Sequence, residues 1–294
     1  MSATFAPYTI IAALQELLRI GRANTPWEPR GPKAGLQRGF LDEFYSKGIP
    51  AGGFMPGELE TLGSFNVGVI NSFLWEKGFD IQLEALGDPC SLYSASVMNV
   101  LVHWLNPGTQ TTVEYEGTRY PAAKIKRGWT AFSTPQGQDV VQLDTETGDT
   151  VWITIPESPL EGFSLVQEAI RVMASKRPSK GGRWGSYAEV IFPMVDLSRE
   201  EDISYFCGMA FMGIDRTDHA APFLIAQALN QNKLKMNHLG AHAESAAAMG
   251  AMRGLSSVLV IDKPFLVWFT RKGLTLPYFA AYITPEDWQN PGTL

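Results

Sequence analysis

Hydrophobic positions recur along this chain with two different periods. From Pro7 to Ile20, the residues Ile10, Ile11, Leu14, Leu17 and Leu18 fall three and four apart, the stripe of an amphipathic helix. Pro7 suits its first turn, and Gly21 ends it. Phe163 to Ala174 repeats the helical period. Val140–Leu143 and Val151–Ile155 read as strands joined by a Thr-Gly-Asp turn. Val67–Gly87 reads as a strand followed by a helix, and Val97–Leu105 as a short apolar helix before the turn Asn106-Pro107-Gly108. Ala188–Leu197, Val258–Phe269 and Leu276–Ile283 carry the apolar runs of buried strands, the last two expected as neighbours. Trp27–Gly63 is rich in Pro and Gly and weakly periodic. Arg177–Arg183 reads as a solvated basic loop. No internal repeat or linker interrupts the chain, so a single domain over residues 1–294 of mixed α+β class is expected.

One stretch departs from both periods. Residues 237–250, NHLGAHAESAAAMG, carry no helical stripe, and Gly240, Gly250 and Gly254 break up any long helix that Ala246–Ala248 would favour. Taken with period two, Ala241, Ala243, Ser245 and Ala247 share a face on which every side chain is tiny. Such a strand can slide between two others without a clash. Met252-Arg253-Gly254 follows, with Arg253 the only Lys or Arg between Lys235 and Lys263. Taken alone, the run reads as an ordinary loop or a small-residue helix, and Arg253 as one surface arginine among many.

Composition narrows the function. Hydrophobic content of 45% supplies a sizeable core, and a net charge of −6 argues against a general nucleic-acid binder. Cys90 and Cys207 are too few for a disulfide framework, and Cys207 reads as a buried thiol. No apolar run is long enough to span a membrane. The first residues lack a basic leader and a small-residue cleavage site, so a mature, cytoplasmic chain is expected, with a secreted mature form left open. Of His103, His219, His238 and His242, the last two are four apart but lie in an extended, glycine-containing segment where they would not converge on a metal, and no nucleophile or phosphate-loop motif stands in its proper context. The expectation is therefore no enzyme, no metal and no cofactor.

The order of partial motifs along the chain resembles the serpin family. His238-Leu239-Gly240-Ala241-His242-Ala243-Glu244-Ser245-Ala246-Ala247 is similar to the serpin hinge, an acidic residue, any residue, Gly, Thr, Glu and then alanines. Asp262-Lys263-Pro264-Phe265-Leu266 resembles the His-Pro-Phe-Leu strand, and Leu276–Pro285 the final strand. Ala6-Pro7-Tyr8-Thr9-Ile10 with Gly21–Thr25 resembles the helix buried under the main sheet. Asn71, Leu74, Gly78 and Phe79 resemble the family's Asn, Leu, Gly-Phe segment. Ala122–Phe132 resembles a sheet strand ending in Trp129 and Phe132. Ile203–Phe211 resembles a helix and a Gly-Met turn.

The resemblance implies a large, mainly antiparallel central sheet, a second barrel-like sheet, a helical side and an exposed reactive-centre loop. It implies a suicide inhibitor whose loop is cleaved by a serine protease and then inserts into the sheet from a metastable starting state. About 14 inserted residues at roughly 3.3 Å each would carry the enzyme on the order of 45 Å. The hinge would be His238, Gly240, Ala241, Ala243, Ser245 and Ala247, and the reactive bond Arg253–Gly254, suited to a trypsin-like protease. A polar cluster under the sheet would fall on Thr9, Ala122 and Asn230, where the family carries Ser, Asn and His. His238 and Met194 stand where the family places an acidic residue and its Lys partner, so both halves of that ion pair are replaced together. The alternative from a different class is a non-inhibitory binding or structural protein of the same fold, whose loop does not insert. The small inserting face favours the inhibitor. Neither nucleic acid nor membrane is expected as a partner.

Overall fold

The N-terminal helix forms where its stripe places it. β1 (Ala3–Phe5) leads into α1 (Pro7–Ile20), with Pro7 at the first turn and Tyr8, Ile10, Ile11 and Leu14 buried along one side. Proline costs nothing there, because the N–H it lacks would have no intrahelical acceptor. The structure, a computed structural model, describes residues 1–88, 90–178, 187–240 and 258–292.

After α2 (Ala34–Glu43) comes β2 (Leu59–Ser64) and then α3 (Val67–Glu76). The expected strand-then-helix order over 67–87 is reversed. The Asn66 side chain caps α3 by accepting from the Gly68 N–H at 2.9 Å, and Ile70 and Leu74 bury one face. Gly78 stops the helix at a positive φ of 80°. An extended segment then leads to β3 (Tyr93–Met98), which overlaps the start of the expected Val97–Leu105 helix. Its pattern is strict alternation, with Tyr93, Ala95 and Val97 buried and Ser94, Ser96 and Met98 less so.

The chain continues through β4 (Thr109–Tyr115), β5 (Thr118–Ile125), β6 (Trp129–Ser133), β7 (Asp139–Asp144), β8 (Asp149–Thr154), α4 (Phe163–Ser175) and β9 (Arg177–Pro178). Next come β10 (Glu189–Pro193), β11 (Val195–Glu201), β12 (Ala210–Ile214), β13 (Ala220–Leu224) and β14 (Asn230–Met236). The last strands are β15 (Val258–Val260), β16 (Phe265–Arg271) and β17 (Phe279–Ile283). Two expected continuous strands are split. A turn at Gly128, φ 77°, divides 122–132 into β5 and β6, which join different sheets. At Met194 the chain leaves β10 for β11, again in another sheet, with the Met194 N–H donating to Pro121 O.

The largest sheet has seven antiparallel strands in the order β1-β17-β16-β8-β7-β6-β9. β16 sits between β8 and β17 and is buried on both faces, with Trp268 fully enclosed. β16 and β17 pair antiparallel, as expected for neighbours, while β15 pairs in parallel with β10 in a sheet ordered β15-β10-β5-β4. β2–β3, β11–β14 and β12–β13 form two-stranded sheets, and no sheet closes into a barrel among the described residues. α1 and α3 take opposite faces of β3. The Ser94 hydroxyl donates to Ala13 O of α1 at 2.9 Å, whereas Tyr93, Ala95 and Val97 cluster with Ile70 and Leu74 of α3.

Candidate functional site

Among the described residues, β3 and β14 each have one hydrogen-bonded partner, β2 and β11 respectively, and no ladder joins them to each other. A cavity of about 570 Å³ lies between the two pairs. Its floor is α1, through Thr9, Ile10, Ala13, Leu14 and Leu17. One wall is β3, from Tyr93 to Val97, and the other is built from Ile203, Phe206 and the run from Ala221 to Gln231. Most of the lining is apolar, Phe79, Ile81, Phe206, Phe211 and Phe223 included, and its small polar groups are tied to neighbouring chain. Ser94 bonds Ala13 O, Thr61 Oγ1 donates to Ser96 Oγ at 3.2 Å, and Thr9 Oγ1 donates to Ala6 O at 2.8 Å. Asn230 Nδ2 is buried with no hydrogen-bond partner among the described residues. A slot with an unpaired strand edge on each side and a floor without bulky polar groups is shaped for an extended chain.

Thr9 and Asn230, expected together, do line this one cavity. Ala122 does not. It is fully buried on β5, opposite Thr111 and Pro193, because the strand expected to bring it to the polar cluster under the sheet pairs with β4 and β10 instead. Ser94 and Ser96 occupy the β3 wall instead. The signal for them was the Tyr93-Ser94-Ala95-Ser96-Val97 alternation, which an apolar-run reading of 97–105 obscured.

The root of the expected hinge is tightly held. Asn237 is buried, its carbonyl accepts from Trp104 Nε1 at 2.9 Å, and its amide donates to Gly292 O at 2.9 Å. Its Oδ1 accepts from the Leu239 N–H at 2.8 Å, and His238 O accepts from Gly108 N–H at 2.7 Å. Gly240 follows at φ +78°, so close to the backbone of His103 and Trp104 that a Cβ would lie 2.3 Å from Trp104 N. Burial lowers the pKa of His238, since charging the ring there loses hydration. His238 makes no ion pair among the described residues, and Met194, the other replaced position, is buried at the β10–β11 crossover. Ala241, Ala243, Ser245, Ala247, Arg253 and Gly254 lie outside the described residues.

Other candidate chemistry resolves into structure. Asp215 Oδ1 accepts from Thr217 Oγ1 and from the N–H groups of Thr217 and His219, a side-chain-closed turn between β12 and β13 that holds the Asp215 pKa below the usual carboxylate value. Cys207 is half-buried rather than fully so. Burial pushes its thiol pKa up, and Sγ lies 3.4 Å from Ala226 O. Among the described residues, no group of three His, Cys, Asp or Glu side chains could hold a metal ion, and no helix is long and apolar enough to cross a membrane.

The arrangement has counterparts among solved structures. Human glycosylated kallistatin superposes with a TM-score of 0.58 at 15% identity, covering 99% of this chain and 92% of that one. Serpin48, a highly specific serpin of the insect Tenebrio molitor, superposes at 0.56 with 14% identity over 96% and 91% of the two chains. Thyroxine-binding globulin in complex with thyroxine gives 0.55 and 14% over 96% and 92%. No protein-family model and no curated protein sequence matches the chain. At these identities the likeness is one of fold, and the chain has the serpin fold.

Proposed function

We propose that this chain is a suicide inhibitor of a trypsin-like serine protease that works by loop insertion. The observation that carries the reading is the cavity between β3 and the start of β14, floored by α1, with no ladder joining the two strands among the described residues. The serpin fold supports it, as does the small face of Ala241, Ala243, Ser245 and Ala247 directly after the anchored Gly240. The protease serine attacks the Arg253 carbonyl, the Gly254 amine leaves, and Arg253 is held as an ester to the enzyme. The freed hinge then enters the slot and draws the acylated protease with it before water can cleave the ester. An acidic specificity pocket selects Arg253.

Incubation with trypsin-like proteases should give an SDS-resistant complex, and N-terminal sequencing of the released fragment should begin Gly-Leu-Ser-Ser. Arg253→Ala should abolish inhibition of that enzyme class and leave the fold unchanged. First cleavage at another bond moves the reactive site, and full inhibition by the Ala variant removes it. A non-inhibitory binding role has one observation in its favour, a cavity of about 570 Å³ lined by Leu14, Phe206, Phe211 and other apolar groups, of a size that holds small ligands. The serpin-fold globulin crystallised with thyroxine is a precedent for such a ligand. Cleavage without any complex is its signature.

A further inference from the structure

The segment from Phe79 to Asp88 crosses the slot, and its hydrogen bonds are of an unusual kind. It is extended, with Phe79, Ile81 and Leu83 packed against the Ile70, Leu74, Tyr93, Ala95 and Val97 cluster, and with Asp80, Gln82 and Glu84 exposed. An extended chain ordinarily satisfies its backbone with a neighbouring strand. From Asp80 to Leu86 this one uses side chains. The Asn71 amide holds Leu83 at both ends, accepting from its N–H and donating to its carbonyl, each at 2.9 Å. The Gln227 amide holds Glu84 in the same way, at 2.9 and 3.2 Å. Gln231 Oε1 accepts from the Asp80 N–H at 2.8 Å, and the Tyr93 hydroxyl accepts from the Leu86 N–H at 2.9 Å.

These anchors stand on both sides of the cavity. Asn71 and Tyr93 belong to α3 and β3. Gln227 and Gln231 belong to the β14 wall, and β14 adds Lys233, whose ammonium donates to Gly78 O at 2.5 Å, lies 3.6 Å from the Asp80 carboxylate and sits 5.6 Å above the Phe79 ring. The two sides differ in strength. The α3–β3 side holds the segment by apolar burial as well as by hydrogen bonds. The β14 side holds it by polar and cation–π contacts alone, exposed at Gln227 and Lys233 and partly buried at Gln231, with no apolar cluster behind them. Yet the β14 edge is where an entering strand has to pair.

We propose that Phe79–Asp88 is a latched strap, closed by Gln227, Gln231 and Lys233, that must release β14 before the hinge can pass between β3 and β14. This rests on the loop-insertion reading and deepens it. On release the strap stays with α3 and β3, because Phe79, Ile81 and Leu83 hold it there.

The test is a reversible lock. In a Cys90→Ser, Cys207→Ser parent, Glu84→Cys with Gln227→Cys places a cysteine on each side of one clip, and mass spectrometry confirms the disulfide. The oxidised lock should slow complex formation with the protease at least tenfold and leave the loop cleaved instead, and reductant should restore the parent rate. A second variant, Gln227→Ala with Gln231→Ala, should raise hydrogen exchange at Asp80 and Glu84 and speed complex formation. Undiminished complex formation with the disulfide intact overturns the strap and leaves the inhibitor reading standing. Loss in both redox states marks the two side chains as merely structural and also overturns it. If the parent forms no complex, the inhibitor reading fails and the strap falls with it.

Discussion

Gly240 occupies a position that no other residue fits. Its φ of +78° disfavours any side chain, and a Cβ would meet the Trp104 backbone nitrogen at 2.3 Å, an atom that cannot step aside as a side-chain tip can. Gly240→Ala should therefore cost about 1–3 kcal/mol of stability, measured by urea denaturation, and should dislodge the turn that Asn237 closes. Glu201 makes a different prediction. Its carboxylate accepts from the Thr4 N–H at 2.6 Å and from Thr4 Oγ1 at 2.9 Å, and Asn232 Nδ2 donates to that same hydroxyl. Burial nevertheless raises its pKa, the Thr4 bonds opposing only part of that shift. A carboxyl whose pKa is raised on folding binds more protons folded than unfolded. Its contribution to stability is thus greatest below the ordinary glutamate pKa and is lost as pH rises through the raised one. Glu201→Gln should gain stability relative to the parent as pH rises across that window, and the gain should then level off. A difference in melting temperature that stays flat from pH 4 to 8 contradicts this.

At the scale of elements, one ion cluster ties three segments together. Arg271, at the end of β16, donates to both oxygens of Asp149 at the start of β8, at 2.6 and 2.8 Å, and to both carboxylate oxygens of Glu58 before β2. The Arg271 hydrogen bond also pulls the Glu58 pKa below its ordinary value. The Asp149 side chain is fully buried, so removing its partner leaves an uncompensated charge. Arg271→Met should cost about 3–5 kcal/mol in urea denaturation, and adding Asp149→Asn should recover much of the loss. Elements of this kind were legible to different degrees. α1, α4, the β7–β8 hairpin and the β16–β17 pair announce themselves, because each has one clear period and a local stop. The 67–87 segment misleads, because its helix is fixed by the Asn66 cap and its apolar residues beyond Gly78 serve an extended strap. The 122–132 and 188–197 runs each change sheet midway, and strand residues in two different sheets look the same in one dimension. The slot is legible only in part. Thr9 and Asn230 were found through their family positions, and Asn71 through its own, though not as a clip, whereas Ser94, Ser96 and the clip Gln227 meet it only through long-range topology. No local pattern marks a glutamine whose amide stands in for a neighbouring strand.

The whole molecule is divided by that slot. β2 and β3 with α3 form one side, β11 and β14 with the rest of the body the other, and α1 runs beneath. A strand entering between β3 and β14 would pair two open edges at once and cover the cavity, replacing water contacts with a ladder and burying the half-buried Ala13 and Leu17 of the floor. Cleavage of the loop should then raise the melting temperature well above that of the intact chain. The size of the entering face limits this gain. In the proposed inserted state Ala243 would face a floor that includes Ile10, Ala13 and Leu14, where a guanidinium would find no carboxylate among the lining residues of α1. Burying it unpaired costs a few kcal/mol or more, about enough to stall insertion at that residue. Ala243→Arg should therefore be cleaved by a trypsin-like protease without forming an SDS-resistant complex. The cleaved variant should also fail to show the rise in melting temperature of the cleaved parent. Because the introduced arginine adds a second trypsin site, the comparison is made with Ala243→Glu alongside, which introduces a charge but no new cleavage bond. If the Glu variant still forms the complex and still gains stability on cleavage, the hinge does not enter between β3 and β14 with Ala243 facing α1.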